Sequence, residues 1–173
     1  TGVQDVCSSD LGYGLIYFTA EMLTEKGGSF MAKKCLVSGS GNVAQHAIEK
    51  IIELGGTVLT VSDSSGYIYD EQGIDRDKLT FIYELKNLKR GRIKEYADKY
   101  TKSVYTAYTP DLDHNPLWDH KADCAFPCAT ENEINEKDAT NLVNNGVKLV
   151  AEGANMPTTI NACKVFMDSK ITY

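Results

Sequence analysis

Residues 37–50 read VSGSGNVAQHAIEK. Val37 and Ser38 close an apolar run that begins at Cys35, and Gly39-Ser40-Gly41 breaks it. From there Val43, Ala44, Ala47, Ile48, Ile51 and Ile52 recur at helical spacing until Gly55-Gly56 ends the pattern. The stretch therefore reads as a buried strand, a tight glycine turn and an amphipathic helix. A second strand follows at once, TVLTVSD over 57–63. Strand, helix, strand in that order predicts a parallel pair joined by a crossover.

Working outward, the alternation continues. Leu15, Phe18, Met22 and Leu23 mark an earlier helix that Gly27-Gly28 stops. SSGYIYDEQG, 64–73, reads as a short hairpin or loop, and the charged segment 75–99 as one or two surface helices. A short strand near Val104, a loop over 111–121 and a strand over 122–127 stopped by Pro127 come next. Asn135 caps a further helix, with Asp138 three residues on in a capping box. VKLVAEG is another strand, Pro157 opens a helix with Ile160, Cys163 and Met167 on one face, and ITY begins a last strand. The fold class expected is α/β: a doubly wound, mostly parallel sheet with its ligand at the carboxyl ends of the strands.

Composition narrows the function classes. The 173 residues carry 42% hydrophobic and 24% charged residues, ordinary for a globular domain with a real core. A net charge of −6 argues against a nucleic-acid binder, which needs a basic face. No apolar run is long enough to span a bilayer, so no membrane partner is expected. Five cysteines at irregular spacing do not form a disulfide framework. Reduced thiols in a cytoplasmic protein are expected, with Cys35, Cys124 and Cys163 as small buried residues. The cluster of Asp111, Asp113, His114, Asp119, His120 and Cys124 lacks the spacing of a metal site and reads as a polar loop.

Gly39, Ser40 and Gly41 end one strand, Asn42 opens a helix, and Asp63 ends the next strand. A dinucleotide fold needs this arrangement: glycine for the turn, bare backbone against the pyrophosphate, and the positive end of a helix facing its charge. Ala44 stands where a third glycine often sits. A methyltransferase also combines a glycine loop with an acid after the second strand. Ser38, where such enzymes usually carry acidic residues, speaks against that alternative.

The segments GYGLIYFTAEML, VSGSGNVAQHAIEK, SDSSGYIYDEQG, PCATENEI and AEGANMPTT together resemble the cofactor-binding domain of hexameric, NADP-linked glutamate dehydrogenases. The resemblance implies reversible oxidative deamination of L-glutamate to 2-oxoglutarate and ammonia, with NADP rather than NAD as cofactor and a homo-hexamer as the assembly. By the same resemblance Gly39, Ser40, Gly41, Asn42 and Val43 would cradle the pyrophosphate, and Asp63 and Ser64 would meet the adenosine ribose. Ser64, Lys86 and Arg92 would surround a 2′-phosphate, which wants hydroxyl and cationic partners. Arg90 is a further candidate. Asp63 is awkward there, because a carboxylate repels a phosphate and suits a free ribose hydroxyl. Thr130, Asn132 and Asn155 would reach the nicotinamide ribose and carboxamide. Each also sits just ahead of an expected helix, so capping is the alternative. Leucine and phenylalanine dehydrogenases share the fold, and a non-catalytic NAD(P)-binding module is a further alternative.

The start departs from the pattern. The family reads Arg-x-Glu-Ala-Thr-Gly-Tyr-Gly where this chain reads CSSDLGYG, 7–14. TGVQDVCSSDL resembles the translation of a sequencing-library adapter, which makes residues 1–11 an expected non-native leader. Residues 12–173 are then an incomplete dinucleotide-binding domain, truncated at both ends. The substrate domain, with the family's catalytic lysine and aspartate, is expected to precede it, so no catalytic residue is assigned here.

Overall fold

The computed structural model describes residues 2–173, and their side chains from residue 10 onward. Most of the expected leader, and Cys7, thus lie outside the described side chains.

Helix α1 (Gly2–Glu25) leads into β1 (Lys34–Val37), α2 (Asn42–Glu53) and β2 (Thr57–Asp63). Then come β3 (Gly66–Ile74), α3 (Arg76–Tyr83), a π turn (Glu84–Leu88), α4 (Lys94–Lys99) and β4 (Val104–Ala107). A 3₁₀ turn (Pro116–Asp119), β5 (Cys124–Phe126), α5 (Glu136–Asn144), β6 (Leu149–Val150) and α6 (Ile160–Asp168) complete the order. The six strands form one sheet in the order β4-β3-β2-β1-β5-β6. β2, β1, β5 and β6 run parallel, and β3 and β4 add antiparallel at one edge. Thr172 bridges Leu149 in parallel sense, so the last three residues extend the sheet past β6.

Both faces of the sheet are covered, as alternate strand residues demand. Cys35, Val37, Val58 and Val61 pack with α1 to α4, while Leu36 and Leu59 pack with α5, α6 and the 3₁₀ turn. The capping box of α5 is present, with the Asn135 side chain accepting from the amides of Lys137 and Asp138.

Four expectations are corrected. Strands and helices do not alternate throughout, because Ser64-Ser65 joins β2 to β3 directly and a two-residue turn can connect only antiparallel strands. Helix α6 starts at Ile160, capped by the Thr159 side chain, and its buried residues are Ala162 and Phe166; Ile160 and Met167 face solvent. On α1 the buried positions include Leu15, Ile16, Thr19 and Leu23, whereas Phe18 is exposed. Cys163 is only half-buried; among the described side chains Cys35, Cys124 and Cys128 are the buried thiols.

Candidate functional site

The strand order reverses between β1 and β5, so the loops after these strands leave to opposite faces and open a crevice between them. Its cavity measures about 350 Å³. Gly39, Ser40, Gly41, Asp63, Ser64 and Thr130 line it, together with Ser62, Tyr108, Asn115, Cys128, Ala129 and Glu133.

Gly39 fixes the turn. Its φ of +80° lies in the left-handed region, and a Cβ there would come within 2.8 Å of the Cys128 carbonyl oxygen. Its amide donates to Ser62 Oγ at 2.7 Å, and its carbonyl accepts from the Ser62 amide at 3.1 Å, which ties the turn to the end of β2. Gly41 is different. It is the N-cap of α2 with an ordinary φ of −80°, and a Cβ there would meet nothing within 4 Å. Its bareness leaves room over the helix terminus, where the helix dipole favours an anion.

Asp63 is the hub of the β2 side. Its Oδ1 accepts from the Ser65 amide at 2.9 Å and the Ser65 hydroxyl at 2.6 Å. Its Oδ2 accepts from the Ile93 amide at 2.8 Å and Lys86 Nζ at 3.4 Å. The side chain is 6% exposed. Burial pushes its pKa up, but the Ser65 hydroxyl, the two amides and Lys86 together outweigh that and hold it below the usual carboxylate value. Lys86 sits in the π turn, an uncommon element often found at functional positions, and also donates to the Gly91 carbonyl at 3.0 Å. The turn is pinned to α2 by a side-chain amide pair, Asn87 Nδ2 donating to Gln45 Oε1 at 3.0 Å. Arg92 Nη1 donates to Ser64 Oγ at 2.8 Å. Lys86 and Arg92 thus stand just outside the crevice lining, each joined to a residue of it, Asp63 and Ser64. Arg90 is exposed and makes no such contact among the described residues.

The opposite wall rests on Glu133. Its Oε1 accepts from the amides of Ala129 at 3.0 Å and Thr130 at 3.4 Å, while Ser38 Oγ accepts from the Cys128 amide at 2.9 Å. Burial raises the Glu133 pKa, with the nearby Asp138 carboxylate adding to the rise; the Ser38 hydroxyl and the two amides offset it only in part. Neither Glu133 nor Ser62 emerges from the sequence reading. Glu133 was legible in principle, as an acid a few residues past a strand end where free loop amides need an acceptor.

The remaining expected residues lie outside this lining. Asn42 and Val43 form the first turn of α2. Asn132 has a φ of +54° and donates its amide to the Met156 carbonyl, and Asn155 is exposed. The capping alternative does not hold for them or for Thr130, since Asn135 and Thr159 are the caps of α5 and α6.

The model of the glutamate/leucine/phenylalanine/valine dehydrogenase family matches residues 8–173. The chain belongs to this family. It is 56% identical over 162 residues to the NAD(P)-specific glutamate dehydrogenase of Xylanibacter ruminicola and 51% identical over 162 residues to the NADP-specific glutamate dehydrogenase of Haemophilus influenzae. Both matches take in 94% of this chain but only 35% and 34% of the relatives, so the chain spans about a third of their length. The solved glutamate dehydrogenase of Plasmodium falciparum superposes with a TM-score of 0.88 at 40% identity, over 95% of this chain and 34% of that one. Among the described residues, no helix of this family member is long and apolar enough to cross a membrane.

Proposed function

We propose that this chain is the dinucleotide-binding domain of an NADP-linked glutamate dehydrogenase. In the whole enzyme L-glutamate, NADP and water are converted to 2-oxoglutarate, ammonium, NADPH and a proton, the cofactor supplying the hydride chemistry. The share of these residues is binding and orientation. Gly39, Ser40 and Gly41 take the pyrophosphate against the start of α2, with Asn42 and Val43 forming the helix end behind them. Thr130, with Asn132 and Asn155 beyond the crevice lining, serves the nicotinamide side. A homo-hexamer, the assembly that the sequence resemblance implies, is the proposed working form of the whole enzyme.

The observation that carries the choice of NADP is the state of Asp63. Four donors occupy its two oxygens, so it has no acceptor capacity left for a ribose hydroxyl. Its charge is directed at Lys86 and the backbone, which leaves Ser64 and Arg92 to face a 2′-phosphate. Asp63 then holds the phosphate site in place and is no ligand for it.

Fluorescence titration of the chain with NADPH and with NADH tests this reading. Tighter binding of NADPH is the expected result. Preference for NADH would mean that Asp63 releases its donors to take the ribose, and would overturn the choice of cofactor. Failure of both cofactors with an intact thermal melt would overturn the dinucleotide site itself.

A further inference from the structure

A second cavity of about 350 Å³ lies at the other end of the sheet, where β5 and β6 begin. Four lysines line it, Lys26, Lys33, Lys148 and Lys170, against the single carboxylate of Asp123. Lys33 approaches that carboxylate at 3.9 Å. Among the described residues, no hydrogen bond or ion pair engages the ammonium groups of Lys26, Lys148 or Lys170. The floor is apolar: Leu23, Cys124 and Leu149 are all buried there. In a chain of net charge −6 this gathers four lysines against one carboxylate around one open cavity, with Lys26, Lys148 and Lys170 exposed at its rim.

Helix ends explain part of it. Lys26 follows the C-terminus of α1 and Lys170 that of α6, and helix carbonyls attract cations. Neither Lys33, ahead of β1, nor Lys148, ahead of β6, has that reason to be there. Lys170 also holds a φ of +56°, a left-handed conformation that glycine would adopt at no cost. The chain thus keeps a strained lysine at the rim of a cavity that three other lysines share.

We infer that this cavity is a second ligand site, separate from the dinucleotide crevice, for a small polyanion: phosphate or paired carboxylate groups on the lysines, with a short apolar stem on Leu23 and Leu149. The volume is within the range of small-molecule sites. A multiply charged anion is the ligand that several lysines around one cavity can share. The site does not depend on the cofactor assigned to the crevice.

Isothermal calorimetry with inorganic pyrophosphate, and in parallel with citrate, tests this on the 173-residue chain. The expected result is binding of at least one of them at a site separate from any in the dinucleotide crevice, persisting with NADPH at saturation and weakened roughly tenfold or more by the pair Lys26→Glu and Lys148→Glu. Arg92→Glu, beside the crevice, should leave that binding in place. The exposed pair Lys94→Glu and Lys102→Glu, which makes the same charge change beside the far edge of the sheet, should also leave it in place. Loss only in Arg92→Glu would place the anion in the dinucleotide crevice and overturn the inference. Equal loss in both lysine pairs would reduce it to non-specific charge and overturn it as well. So would no binding of either anion up to roughly millimolar concentration. Unchanged thermal melts of the variants without ligand separate lost binding from lost folding. Which anion binds decides between a phosphate and a carboxylate ligand.

Discussion

Two carboxylates flank the crevice and are pushed in opposite directions. Asp63, on the β2 side, takes two amides, a hydroxyl and a lysine, and its pKa falls. Glu133, on the β5 side, takes two amides and sits by the Ser38 hydroxyl; among the described residues it has no cation, it lies near Asp138, and its pKa rises. Burial penalises the charge of both. What separates them is the count of donors and the presence of Lys86. One wall therefore carries a fixed negative charge that organises cations, and the other a carboxylate whose charge is poorly supported.

The strongest test of that contrast is to delete each acid. Asp63→Ala strands Lys86, the Ile93 amide and the Ser65 turn together, and should cost about 3 kcal/mol in urea unfolding. Glu133→Ala frees two amides at an exposed loop and should cost about 1 kcal/mol. NADPH affinity should fall further in Asp63→Ala, because Lys86 and Arg92 lose their frame. Equal costs for the two variants would break the comparison.

The two glycines of the turn divide in the same way. Gly39→Ala forces a side chain into a left-handed conformation and onto the Cys128 carbonyl, where the two walls touch. It should destabilise by about 2 kcal/mol. Gly41→Ala enters open space at an ordinary φ and should change stability by no more than about 0.5 kcal/mol. Any loss of NADPH binding in Gly41→Ala then reports contact with the ligand and not with the fold. Thermal melts beside cofactor titrations separate the two effects.

Smaller again is Arg92→Ala. Arg92 is exposed, and its side chain is joined to Ser64 by one hydrogen bond. Stability should hold, while preference for NADPH over NADH should drop roughly tenfold, the worth of one charge-assisted phosphate contact. A loss shared equally by both cofactors would place Arg92 away from the 2′-phosphate.

How much of this was legible depended on how local each signal was. β1, α2 and β2 were readable to within a residue or two, because a switch of apolar period and glycine punctuation lie within thirty residues of one another. The β3–β4 pairing was not, since the residues that complete Gly66–Tyr69 are Val104–Ala107, far along the chain. Helix α6 carries two apolar stripes, and periodicity alone does not say which faces inward. Packing chose small Ala162 with bulky Phe166 and left Ile160 at 78% exposure. In the crevice, Gly39, Gly41 and Asp63 announce themselves by spacing. The saturation of Asp63 does not, because two of its four donors, Lys86 and Ile93, arrive from the segment after α3.

The subtlest expected effect is on pH dependence, and it carries opposite signs for the two acids. Asp63 has a folded pKa below its unfolded one, so its contribution is present above the unfolded value and is lost as pH falls through the folded one. Glu133 has a folded pKa above its unfolded one, so the folded state binds the extra proton and stability is lost as pH rises from the unfolded towards the folded value. Glu133→Gln keeps an acceptor oxygen for the Ala129 and Thr130 amides and removes the titration. It should flatten the decline of stability with rising pH and leave the variant slightly more stable than the parent chain at neutral pH. Asp63→Asn should instead weaken the dependence at the acid end and leave the variant less stable at neutral pH. Urea unfolding of both variants across the acid-to-neutral range reads the two slopes. If Glu133→Gln steepened the decline, the carboxylate would be supported by a charge on the β5 side, and the contrast between the two walls would fail.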